Sequence, residues 1–187
     1  MSEPYLQDQN FDKNFSPAKG EYDHCTFTGC DLAEVDLGGY RFVDCTFTGC
    51  NLSLAKLQRT AFREVLFKDC KMLGLRFDTC HELGLSVSFE GCQLNHASFY
   101  KLKLKNTRFV DSNLSECDFT ECDLSGALFD HCNLELAVFD QTRLEKADFR
   151  TAYNYNIDLE RNRVKGARFS LAGVGGLLGK YGVEIDG

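Results

Sequence analysis

From Phe27 onward a large apolar residue returns at every fifth position: Phe27, Leu32, Leu37, Phe42, Phe47, Leu52, Leu57, Phe62, Phe67, Met72 and Phe77. A second unbroken series runs from Phe89 through Leu94, Phe99, Leu104, Phe109, Leu114, Phe119, Leu124, Phe129, Leu134, Phe139 and Leu144 to Phe149. Two positions before each stands a small or medium residue, commonly Cys, Ala, Thr, Ser or Val. A step of five fits neither the helical period of about 3.6 nor the strand alternation of about two. It fits a chain that turns a corner every five residues, sending inward the central residue of each side and the one two before it. Four such sides close a square coil of about twenty residues. The hexapeptide CTFTGC at Cys25–Cys30 accordingly recurs one coil later, at Cys45–Cys50. In this register Phe27, Phe47 and Phe67 stack in one column, continued after a two-residue shift by Phe89, Phe109, Phe129, Phe149 and Phe169.

Two places break the rhythm. Between Phe77 and Phe89 the spacing is twelve where ten is due, so CHELGLSVS at 80–88 must hold a two-residue bulge or short loop. Within 152–158 the side chains of YNYNID (Tyr153–Asp158) stop fitting, while Leu159, Val164 and Phe169 remain in register; local protrusions are expected there. After Phe169 the period ends. Val174, Leu177, Leu178 and Tyr181 then have the spacing of a short amphipathic helix, and Val183 and Ile185 alternate like a strand. Such a tail reads as a cap over the open end of a solenoid, whose bare strand edge would otherwise invite aggregation. It has apolar surface to spare for pairing with its own copy.

All ten cysteines (Cys25, Cys30, Cys45, Cys50, Cys70, Cys80, Cys92, Cys117, Cys122 and Cys132) fall two positions before an inward centre, or where one is due. One rule thus covers the set, with cysteine as a small buried filler. Zinc sites favour close Cys pairs backed by further Cys or His, whereas the thiols of CTFTGC face different sides of the square. Stacked thiols such as Cys30, Cys50 and Cys70 lie about 4.8 Å apart, with parallel Cβ vectors that disfavour a disulfide. No metal or cofactor is expected. His24, His81, His96 and His131 are scattered outside any nucleophile motif, with His24 and His131 at outward positions. GVGG at 173–176 lacks the strand and the Lys-Ser/Thr of a phosphate loop. No catalytic residue emerges, and the chain is not expected to be an enzyme. The sequence MSEPYLQDQN has no leader pattern and no run of about 18 apolar residues occurs, so a cytoplasmic protein that does not enter the membrane is expected.

The units of the form A(D/N)Lxx in CDLSGALFDHCNLELAVFD and KADFR resemble the pentapeptide-repeat family over roughly Tyr22–Phe169. That resemblance implies an all-β right-handed quadrilateral β-helix. It divides the chain into an N-terminal cap (1–21), a β-helix (22–170) and a C-terminal helix and strand cap (171–187). The leucine-leucine, glycine, alternating-apolar tail and the stretch NYNIDLERNRV look like the Qnr-type quinolone-resistance and microcin-immunity branch. From this likeness follows a homodimer joined through the C-termini, with Val174, Leu177, Leu178, Tyr181, Val183 and Ile185 at the interface. It also implies a duplex mimic that binds DNA gyrase or topoisomerase IV and protects or modulates it against quinolones or peptide toxins. The Qnr branch carries sizeable projecting loops, whereas this chain has small irregularities at 80–88 and 152–158. An interaction scaffold without a topoisomerase partner is the alternative.

Charge is unevenly spread along the chain. Residues 1–53 carry −6, residues 54–110 carry +5, residues 111–160 carry −9 and the remainder +3, for a net charge of −7. An acidic chain is not expected to bind nucleic acid directly, since phosphate contacts need a basic surface. Seven to eight coils at about 4.8 Å make a rod of roughly 35 Å, along which B-DNA presents about 20 phosphates. The acidic block approaches that density in part. Asp118, Asp123, Asp130, Glu135, Asp140 and Asp148 are the expected phosphate-like charges near the dimer centre. Lys101, Lys103 and Lys105 bracket two inward leucines and are expected to be solvated.

Overall fold

In the computed structural model, which describes residues 3–16 and 18–184, the five-residue sides stack as parallel rungs around a square core. The first face carries β1 (Tyr5–Gln7), β3 (Glu21–Asp23), β5 (Arg41–Val43) and β7 (Ala61–Arg63), paired in that order. On the second face lie β2 (Asn10–Phe11), β4 (Thr26–Thr28), β6 (Thr46–Thr48), β8 (Val65–Lys68), β9 (Val87–Glu90), β10 (Arg108–Val110) and β11 (Leu128–Asp130). The third and fourth faces are joined by single bridges, such as Asn51 with Lys71 and Asp118 with Val138. Pairing advances by one coil, Phe27 opposite Phe47, and lengthens to Phe67 opposite Phe89 across the insertion. The chain is a right-handed quadrilateral β-helix. Because β1 and β2 already pair with β3 and β4, residues 5–11 form its first, shorter rungs.

The expected phenylalanine column is continuous. Neighbouring rings stack at 4.4 Å for Phe27 and Phe47, 5.6 Å across the insertion for Phe67 and Phe89, and 5.3 Å for Phe149 and Phe169. A second aromatic column stands beside it and changes face midway. Tyr22, Phe42 and Phe62 stack on the first face, then Phe77, Phe99, Phe119 and Phe139 on the fourth. Rings of the two columns meet edge-on, as in Phe99 and Phe109 at 5.9 Å and 82°, the arrangement that suits aromatic quadrupoles. Each layer therefore holds about two aromatic and two aliphatic centres, which keeps the cross-section constant at interior packing density.

Corners are made by residues in the left-handed region, a conformation that costs an L-residue about 1–2 kcal/mol. Nineteen described non-glycine residues adopt it, including Glu34, Leu54, Arg59, Lys101, Glu116, Glu121 and Leu136. What offsets the strain is the coil-to-coil ladder: Glu34 donates its N–H to Ser53 at 2.9 Å and Glu116 to Glu135 at 2.8 Å. The outward residue before each centre helps to turn the corner as well. Asp31, Asp36, Asn51, Asn113, Asp118, Asp123, Asn133, Asp148 and Asp158 each accept, on a side-chain oxygen, the N–H of the residue two positions on. Aspartate and asparagine do this equally well.

Polar residues at many filler positions share one hydrogen-bonding pattern. Cys45, Cys50, Cys70 and Cys117 donate their thiols to the inward residues of the preceding coil, Tyr22, Phe27, Phe47 and Leu94, at 3.0–3.4 Å. Thr60, Thr142 and Asn162 bond in the same way to Leu37, Phe119 and Phe139. At these seven positions the buried polar atom is paired with the coil before it. All ten cysteines are buried free thiols. Burial pushes Cys45 and Cys132 up to about 12, which removes nucleophilic thiolate near neutrality.

One expectation about the second irregularity is corrected. Leu159 does not return inward; it is 40% exposed, while Tyr155 (4%) and Ile157 (0%) fill the core. Ile157 stands in the filler slot twenty residues after Ala137 but is far larger, and Tyr155 enters the core one place after the position due, beneath the cap described below. Val164 and Phe169 do pack against the core.

Two outcomes follow from this packing. Phe109→Ala removes a ring held between Phe89 and Phe129 and should lower the free energy of unfolding in urea by about 3–5 kcal/mol. Iodoacetamide at pH 8 should leave Cys45 and Cys132 unmodified in the folded protein and label them rapidly in denaturant, as read by mass spectrometry of peptides.

Candidate functional site

The six acidic residues singled out above lie on all four faces. Asp123 is on the first, Asp130 and Asp148 on the second, Glu135 on the third, and Asp118 and Asp140 on the fourth. Their electrostatic states differ. Asp140 takes a two-pronged contact from Arg161 at 2.6 and 2.7 Å, and Asp148 takes one from Arg150 with Arg168 at 3.6 Å. Asp123 is 9% exposed and lies 3.5 Å from Lys105. Burial works against its charge, but the Ser125 hydroxyl and amide, with Lys105, hold the carboxyl below the usual range. The Arg150 contact holds Asp148 low in the same sense. Asp130 accepts from Thr151 and lies beside His131. Asp118 and Glu135 have no cation within ion-pair distance among the described residues.

What the fold does bring together is an acidic fourth face over the last coils. Asp118 and Asp140 share it with Asp158 and Glu160, and the corners at its two edges add Glu116 and Glu121. Glu116, Glu121, Asp158 and Glu160 count in the acidic 111–160 block of the sequence but are not singled out there, because that block groups acids along the chain rather than by face. The twenty-residue register was the signal that would have sorted them. Val138, 47% exposed in the rung between, and Leu136, 71% exposed on a corner, place apolar surface among these carboxylates. Cations border the face: Lys101 lies 3.4 Å from Glu121, Arg161 on Asp140, and Lys180 within 2.8 Å of Asp158 and 2.7 Å of Glu160. Lys180 holds both of those carboxyls below their ordinary values. At exposed positions such pairs contribute about 0–1 kcal/mol, so a partner's arginines and lysines can displace them.

The C-terminal segment forms short turns at Leu171–Gly173 and Gly179–Tyr181 around α1 (Gly175–Leu178). Glycines decide its seat. A Cβ on Gly173 would collide with the Tyr155 hydroxyl, one on Gly176 with the Tyr155 carbonyl oxygen, and one on Gly179 with Asn156. GVGG is therefore a close-approach surface that lets the cap lie on the last coil, with Gly176 accepting the Ile157 N–H at 2.8 Å. Leu177 packs against the protein's own core, Val174 and Leu178 are half-buried, and Tyr181 (58%) and Val183 (54%) face outward with Leu171 at 90%. Ile185 lies outside the described residues.

Elsewhere Asp23, His24 and Asp44 form the one close group of potential metal-ligating side chains among the described residues. It is exposed, with Asp23 already engaged by Tyr5 at 2.7 Å and by His24 at 2.7 Å.

A family model described as "Pentapeptide repeat region" matches residues 21–99 and 85–169. Among solved structures, full-length QnrB1, described as a plasmid-mediated fluoroquinolone resistance protein, is 17% identical, with 96% of this chain and 97% of that one covered and a TM-score of 0.56. A trypsin-treated QnrB1 variant is also 17% identical, with both chains fully covered and a TM-score of 0.51. HetL, from the cyanobacterium Nostoc sp. strain PCC 7120, is 19% identical over 89% of each chain, at a TM-score of 0.33. A search of curated proteins finds no match.

Gly176→Ala should undock the cap. Hydrogen exchange of residues 171–181 should speed up while that of β9–β11 stays unchanged, because the collision touches only the last coil.

Proposed function

The chain belongs to the pentapeptide-repeat family, and on that premise we propose that it is a non-enzymatic, DNA-mimicking binder of a type II topoisomerase, DNA gyrase or topoisomerase IV. The observation that carries this reading is the acidic fourth face. Glu116, Asp118, Glu121, Asp140, Asp158 and Glu160 occupy three successive coils, about 10 Å of rod at 4.8 Å per coil. A duplex offers about six phosphates in that length. The end-to-end likeness to QnrB1 supports the same rod shape. In this reading the rod occupies the enzyme's DNA groove and shields it from, or modulates it against, quinolones or peptide toxins.

A homodimer joined at the caps extends the rod. Its contact surface comprises Leu171, Val174, Leu178, Tyr181 and Val183, with Ile185 following; Leu177 is spent on the protein's own core. Two such rods would set their acidic coils next to the join, since the last acidic coil adjoins the cap through Lys180 and Tyr181.

The corner chemistry separates folding from charge. Because asparagine turns the corner at 51, 113 and 133 as aspartate does at 118, Asp118→Asn keeps the fold and removes only the charge. The triple variant Asp118→Asn, Glu121→Gln, Asp140→Asn should melt within a few degrees of the parent. Purified gyrase should lose supercoiling activity, or gain resistance to a quinolone, with the parent protein at micromolar concentration and not with the variant. No binding, inhibition or protection by the parent would sink the proposal and leave the scaffold reading, which the local ion pairs at Asp123, Asp140 and Asp148 favour.

A further inference from the structure

A second charged surface, of opposite sign, surrounds the two-residue insertion. Between the Phe62 and Leu104 coils the first face has no regular rung, and His81–Ser86 leaves the wall there. Its ends are pinned by His81 donating to Thr60 at 2.9 Å and Ser86 to Phe62 at 3.0 Å. Leu85 turns toward the core, whereas Leu83 stands at the tip, 73% exposed. A cleft of about 440 Å³ on one side is lined by Arg59, Arg63 and His81, and one of about 280 Å³ on the other by Leu85, Lys103 and Arg108.

These cations are uncommitted. Arg41 is held by Glu21 at 2.8 Å and Lys105 by Asp123 at 3.5 Å, but Arg59, Arg63, Lys103 and Arg108 have no ion-pair partner among the described residues. Glu64 and Glu82 are the carboxylates on the linings around the loop. In a chain of net charge −7, unpaired arginine and lysine gathered about an exposed leucine mark a contact surface. Arginine's planar fork suits carboxylate.

We propose that this surface docks an acidic segment of a partner protein that carries an apolar side chain. That side chain packs on Leu83, and its flanking carboxylates are taken by Arg59 and Arg63 on one side and Lys103 and Arg108 on the other. An apolar anchor inside a charged rim is the plan of a protein–protein contact. A phosphate backbone fits less well. It offers Leu83 nothing, and one running along the first face would pass from Lys103 straight to its bridged neighbour Asp123, with Glu121 on the corner beside it. A short acidic segment ends before them.

The test is fluorescence anisotropy on the full chain with three labelled probes: poly-L-glutamate, a glutamate-rich glutamate–tyrosine copolymer and a DNA duplex. The copolymer should bind most tightly, polyglutamate less so and DNA least. Arg63→Glu with Lys103→Glu should weaken the copolymer about tenfold or more, with the circular dichroism spectrum unchanged. Leu83→Ser should erase the copolymer's advantage over polyglutamate. The Asp118/Glu121/Asp140 triple variant should bind all three probes no more weakly than the parent, which separates this surface from the acidic one. Absence of saturable polymer binding, DNA binding as tight as the copolymer, or indifference to the Arg63 and Lys103 reversals would each overturn the assignment.

Discussion

Everything in this protein depends on coil-to-coil stacking at a constant cross-section. Each layer must present the same area to the next, because parallel rungs leave no freedom to tilt away from a misfit. The second aromatic column shows the constraint at work. When Leu104 replaces a ring on the first face, Phe99 already supplies one on the fourth, so aromatic volume moves sideways rather than changing. The changeover occurs at Phe62 and Phe77, and the insertion at 80–86 sits beside it. The chain leaves the wall at this changeover and projects Leu83 from it.

Inward regularity frees the surface. With fillers bonding to the preceding coil and corners held by the ladder, outward positions carry almost no packing duty. Their remaining duty is the turn, which Asp and Asn perform alike. Where Asp stands instead of Asn, the turn gains no additional bond, and the charge is left as the difference. Asp118, Asp123 and Asp148 are all turn-forming aspartates, yet Asp123 and Asp148 are answered by local cations while Asp118 is not. Charge left unpaired, as at Asp118, or held only in exposed pairs of small net worth is the charge available to a partner.

The fold was legible in the sequence because a five-residue step leaves one inward class every side, and Phe27 through Phe169 obeyed it even across the insertion. The cysteines were legible for the same reason. Leu159 was misplaced because periodicity cannot anticipate a tertiary contact: Tyr155 leaves the pattern to meet the glycines of the cap. The acidic surface was half legible. Chain position found Asp118 and Asp140, but a square coil distributes twenty consecutive residues over four directions, so a run of acids in sequence is not a patch in space. The unpaired Arg59 and Arg63 were hidden differently, since their neighbours on the wall come from coils twenty or more residues away.

Opposite surfaces on adjoining faces of one rod also constrain how it can engage a partner. The fourth face turns into the first at the corner that carries Arg59, Lys101, Glu121 and Arg161, so the sign of the surface changes within one side of the square. Along the first face the sign alternates too, Lys103 being followed by Asp123 and Asp123 by Arg143. A uniform polyanion or polycation could follow neither direction far. A folded protein with a basic groove and an acidic lip nearby can match both at once, and in doing so it would fix the rod's rotation and its depth of insertion together.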